Sequence, residues 1–237
     1  MSAFGPALLS SVGRLPFNPV ASLVVFLTTF AIYSVDKVSG SKEDLLNIPE
    51  RAALAKYPIK QLSALSYMAA ILLVALTDFW KLPSVLFIGL AGIIYTVRIR
   101  GTRPKDITCV KNLIVASSIA ICYADQIEGP IQLYVLAFLV IFVDTVLFDL
   151  RDIIGDSAMG VRTLPVVFGR GPILVLLFVI DIIIYTLSPS ISIYGAFLII
   201  YFRKERSSLH YDLLIDAWMM WVLVLLYFLG YSHVTIF

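Results

Sequence analysis

Charge is what this sequence is short of. Asp, Glu, Lys and Arg make up 14% of its 237 residues, against about 25% in an ordinary soluble domain. The net charge of +2, with no basic run interleaved with aromatics, gives nucleic acid nothing to hold. Two histidines and two cysteines are too few, and too far apart, for a zinc site or a disulfide framework. His210 and His233 suggest no metal, and Cys109 and Cys122 are expected to be free thiols. The opening MSAFGPALLSSVGRLPF lacks a basic stretch ahead of its apolar residues, so no cleavable signal peptide is expected. Apolar–polar alternation is missing as well, which excludes a transmembrane β-barrel.

Apolar residues make up 60% of the chain, and the mean hydropathy is +0.94. Continuous apolar runs lie at about 18–35, 62–79, 83–97, 112–124, 131–148, 172–188, 191–202 and 213–231. This pattern predicts an all-α, multi-pass membrane protein built as one domain over residues 1–237. Eight spans are expected, with residues 1–13 as a further short helix and nine helices at most. The loops at 36–61, 98–111, 149–171 and 203–212 hold 16 of the 18 Lys and Arg. They alternate without error with the nearly uncharged connections. The positive-inside rule therefore places all four on the cytoplasmic side of the cell membrane.

Two of these loops carry acids. In FDLRDIIGDSAMGVRTLPVVFG, residues 148–169, Asp149, Asp152 and Asp156 fall at i, i+3 and i+7. On a helix they lie at about 0°, 300° and 340°, one narrow stripe. Carboxylates so placed repel one another, and the helix C-terminus beyond them disfavours negative charge. A cation must offset this, and Mg²⁺ on a phosphorylated substrate suits oxygen ligands. At a membrane edge, that combination points to a lipid diphosphate. The other acidic segment, YSVDKVSGSKEDLLNIPER at 33–51, holds Asp36, Glu43 and Asp44. Between them in sequence, YTVRIRGTRPKDITCVKN at 95–112 adds Arg98, Arg100, Arg103, Lys105 and Lys111. Taken alone, such a basic loop is ordinary positive-inside bias. Opposite two acidic loops, it can take the diphosphate charge that Mg²⁺ leaves. Asp144 and Asp181 sit inside apolar runs, where carboxylates face a cavity or a partner.

The string around Asp149, Asp152, Asp156, Gly160, Thr163, Leu164, Pro165 and Gly169 closely resembles the second aspartate motif of the UbiA superfamily of membrane prenyltransferases. Residues 33–51 resemble that family's first motif in depleted form. Anchoring on Asn47, Pro49 and Arg51 puts Asp44 at its last aspartate and Asp36 at its asparagine. An alternative register makes Asp36 the second-position aspartate and Glu43 the last acid. The resemblance implies a UbiA-like helical bundle around a central cavity. It also implies Mg²⁺ held by Asp36, Asp44, Asp149, Asp152 and Asp156, with Asp36, Asp44, Asp152 and Asp156 catalytic. Tyr95, Arg98, Arg100, Lys111, Asn112, Arg151, Arg162, Asn47 and Arg51 are the expected contacts to substrate. The expected reaction moves a prenyl chain from an isoprenyl diphosphate, held partly in the bilayer, to an unidentified acceptor. The depleted first motif leaves open a membrane terpene cyclase, in which the allylic cation is captured within its own chain. A lipid or small-molecule transporter, or a non-catalytic prenyl-diphosphate binder, is the reading from a different class.

Overall fold

In hydrocarbon every backbone N–H and C=O must find its partner inside the segment, so each apolar run folds as a helix. The computed structural model describes residues 18–38, 58–96 and 107–216, with Pro104 between the last two stretches. The expected helix at 1–13, most of the run at 213–231, Asp44, Asn47, Arg51, Arg98, Arg100 and the side chain of Asp36 lie outside the described residues. The other seven apolar runs are helices. They are α1 (Pro19–Val38), α2 (Ile59–Thr77), α3 (Leu82–Thr96), α4 (Val110–Gln126), α5 (Ile131–Ala158), α7 (Arg170–Leu187) and α8 (Pro189–Tyr201). Two short helices, α6 (Leu164–Phe168) and α9 (Ser208–Tyr211), join them, and a π-helical turn at Asp212–Asp216 follows. Among the described residues there is no strand.

The starts and stops follow from local chemistry. The Asn18 side chain accepts hydrogen bonds from the Val20 and Ala21 amides at 3.0 and 3.1 Å, capping α1, and Pro19 takes the first helical position. The stop after α5 comes at Gly160, whose φ of 72° suits glycine, and Gly169 at φ 82° turns the chain from α6 into α7. The placing of glycine at these two motif positions is thus a requirement of the backbone. At the opposite end of the bundle, Lys81 ties two turns together. It reaches Glu128 at 2.8 Å, Asp78 at 3.2 Å and the Gln126 carbonyl at 3.3 Å.

α5 is the central helix. Within its most apolar window 61% of residues are buried, against 17% for α2 and 22% for α7. Those two helices turn Leu65, Leu72, Leu76, Val175, Val179 and Ile182 outward, as lipid-facing helices do. α1 packs on α2, α4 on α5 and α7 on α8. Arg170 locks the second half together: its guanidinium donates to the Phe202 carbonyl at 2.7 Å and to the Leu150 carbonyl at 3.1 Å.

Candidate active site

The predicted acidic stripe is one continuous helical face, because α5 runs through it without a break to Ala158. Its three acids nonetheless have different surroundings. Cys109, at φ 68°, turns the chain into α4 and sets Lys111 and Asn112 in the first helical turn, against α5. Lys111 Nζ meets Asp149 Oδ1 at 2.5 Å. Asn112 Nδ2 donates to Asp149 Oδ2 at 2.9 Å and lies 3.3 Å from the Thr145 hydroxyl. Asp149 is fully buried, at 0% exposure. Burying a carboxylate costs several kcal/mol unless it is paired. The lysine, the amide and the positive end of α4 supply the compensation. Burial and the nearby Asp149 carboxylate push the Cys109 thiol up from its ordinary value, which disfavours the thiolate.

Two residues further on, Arg151 forks onto its neighbour Asp152, with Nε at 2.7 Å and an Nη at 2.9 Å. Its other Nη donates to Asp212 of the π-helical turn at 3.1 Å. The guanidinium lies over the Phe148 ring, 4.8 Å from its centroid. Asp156 is buried, and it is near enough to Lys111 to hold the ammonium electrostatically. Arg162 follows the helix end and is exposed. Lys111, Asn112, Arg151, Asp149, Asp152 and Asp156 therefore gather where α4 meets the end of α5. Asp149, expected from its place in the stripe to face a metal, meets Lys111 through one oxygen and Asn112 through the other. Asp212 was not among the expected site residues. It closes a different charged loop, 203–212, and only tertiary packing brings it to the stripe.

Beside this charged cluster, α1 to α4 enclose an apolar cavity of about 510 Å³, within the roughly 300–1,000 Å³ usual for small-molecule sites. Tyr33 of α1 and Tyr95 of α3 line it. Tyr33 feels Arg151 and Tyr95 feels Lys111 electrostatically, so the cavity's head adjoins the charged cluster. Farther down, the walls are Tyr67, Leu86, Gly89, Gly92, Val115 and Ser118. From Tyr95 to Leu86 the cavity follows α3 for about 13.5 Å at 1.5 Å per residue. Leu86, Leu90 and Ile93 line it and are also exposed, which makes them its lateral rim. The cavity's described walls come from the first four helices, so it is set to one side of α5 rather than ringed by the whole bundle.

The two deep acids lie on the other side of α5. Asp144 and Asp181 border a pocket of about 20 Å³ among α5, α7 and α8. Ser192 donates to Asp181 Oδ2 at 2.9 Å, and Gly195 leaves the gap that the Asp181 carboxylate fills.

No protein-family model matches the chain. It is 32% identical over 102 residues to the digeranylgeranylglyceryl phosphate synthase of Methanopyrus kandleri, an overlap covering 40% of this chain and 36% of that protein. The chain thus matches little more than a third of the curated relative's length. Its structure resembles that of a UbiA homolog from Archaeoglobus fulgidus bound to DMAPP and Mg²⁺. The TM-score is 0.55 at 16% identity, over 99% of this chain and 85% of the other. At that identity the likeness establishes the fold: a UbiA-like helical bundle.

Proposed function

We propose that this chain is a membrane prenyltransferase of the UbiA superfamily, moving a prenyl chain from an isoprenyl diphosphate to an acceptor. One observation carries the reading: a cluster of two cations and four carboxylates adjoins the tyrosine-lined head of an apolar cavity. That arrangement suits a ligand with an anionic head and a hydrocarbon tail. At roughly 1.2 Å per backbone bond, as in an extended chain, a four-bond isoprene unit spans about 5 Å. The cavity's length then accommodates nearly three units before the chain passes the rim into lipid.

The donors suit Mg²⁺, a hard cation that prefers oxygen. Asp152 and Asp156 stand one helical turn apart on α5. Among the described residues no three acids, histidines or cysteines form a metal-holding group. The resemblance to the first aspartate motif would assign the remaining ligands to Asp36 and Asp44. Asp149 holds Lys111 in place instead of binding metal. When bound, Mg²⁺ would neutralise charge on the departing diphosphate.

The chain's own residues do the rest. Lys111 and Arg151 present N–H donors to the phosphate oxygens as the allylic C–O bond breaks and its electron pair leaves with the diphosphate. The apolar walls keep water from the allylic cation, so the acceptor forms the new bond and then gives up its proton. Tyr33 and Tyr95 offer π faces at the head, where that cation develops. On this reading, the charged loops face the cytoplasm, where diphosphate donors are made.

The test is diphosphate release by the full chain in lipid nanodiscs, given geranylgeranyl diphosphate and Mg²⁺. A geranylgeranylglyceryl phosphate is the first acceptor to try, by analogy with the curated relative. Release should require the acceptor and stop on chelation. Acceptor-independent cyclisation of the donor would instead establish a cyclase, and no release with any prenyl diphosphate would sink the assignment.

A further inference from the structure

Arg151 is the most constrained cation in the site. Its side chain is 6% exposed, and it sits between two carboxylates of unequal standing. Asp152 grips it bidentately, while Asp212 takes a single bond at 3.1 Å. A guanidinium has five N–H groups, and these contacts use three. Among the described residues no hydrogen-bond acceptor takes the other two, which can serve a ligand. The difficulty lies with Asp152. As a metal ligand it must share at least one oxygen with the metal, and as the carboxylate turns toward that ion its hold on Arg151 weakens. Asp212 has no such second duty. It stands 42% exposed on a π-helical turn, a local distortion found often at functional sites. Together with the Phe148 ring, it can hold the guanidinium plane after Asp152 has turned.

We infer that Asp212 is a positioning residue that keeps Arg151 aimed at the ligand's diphosphate while Asp152 engages the metal. This rests on the proposed reaction for its substrate but on the ion-pair geometry for its residue. It also gives the segment after α8 a part in the site.

The test uses the full chain in nanodiscs and two readouts. The first is the affinity for inorganic pyrophosphate with Mg²⁺, measured by calorimetry, which does not require turnover. Asp212→Asn should weaken it about fivefold, the upper end for a half-exposed ion pair, and Asp212→Glu should restore it. In an Arg151→Gln background, Asp212→Asn should add nothing further. The second readout is the KM for geranylgeranyl diphosphate, which should rise by a similar factor with kcat within about twofold. A lower melting temperature with unchanged pyrophosphate affinity would show that Asp212 merely docks the turn, and would overturn the inference. So would an equal loss in the Arg151→Gln background. Absence of turnover in the wild type would count against the reaction alone, leaving the pyrophosphate result to decide the role of Asp212.

Discussion

The two halves of the bundle use glycine alike and end differently. In the first half, Gly89 makes room for the Tyr67 hydroxyl, which donates to the Val85 carbonyl at 2.9 Å. The tyrosine satisfies itself against the wall, and the space beyond stays apolar and open, about 510 Å³. In the second half, Gly195 makes room for the Asp181 carboxylate, which fills the gap and is held by Ser192. There only about 20 Å³ remains. A missing side chain creates the opportunity in both places. The neighbour that enters decides whether it becomes ligand space or a polar plug.

Four substitutions test this contrast. The largest effect is expected at the boundary between the halves, where Asp149→Ala takes the buried carboxylate from the part-buried Lys111. Loss of one member of a buried pair costs about 3–5 kcal/mol, so the variant should unfold early or fail to accumulate, as thermal unfolding in detergent would reveal. Asp152→Asn should do the opposite. Arg151 keeps Asp212, the fold survives, and turnover falls by at least about 100-fold. Near-normal turnover would remove Asp152 from the metal site. Next, Ser118→Phe projects a ring into the open half. Donors of three or more isoprene units should lose kcat/KM by about tenfold or more while a one-unit donor is spared, and an equal loss for all lengths would place the chain elsewhere. Last, Gly195→Ala overpacks the closed half against Asp181, at a cost of about 1–3 kcal/mol. Unfolding should register it with little change in turnover, and a large activity loss would mean the two halves are coupled.

Much of the fold was readable because hydrocarbon leaves a chain few choices. Seven apolar runs became helices, six of them within a few residues of their expected limits, and α5 continues ten residues past its own, into the acidic stripe, because nothing from Ile131 to Ala158 interrupts it. Spacing correctly put Asp149, Asp152 and Asp156 on one helix. It could not say which neighbour each would meet. Asp149 and Lys111 are 38 residues apart, and only the packing of α4 on α5 pairs them. Asp212 is 61 residues from Arg151 and closes the charged loop 203–212, where no spacing ties it to the stripe. Arg170 also looked like one more basic residue of a charged loop. Its place on two carbonyls shows it to be a structural clamp.

The exposed rim of Leu86, Leu90 and Ile93 has a kinetic consequence. A tail that enters sideways from the bilayer arrives by diffusion in two dimensions. The concentration that matters is then the substrate's mole fraction among the lipids, not its amount per litre. Adding inert phospholipid at fixed enzyme and substrate would slow the reaction by surface dilution, while changing the volume of water would leave it alone.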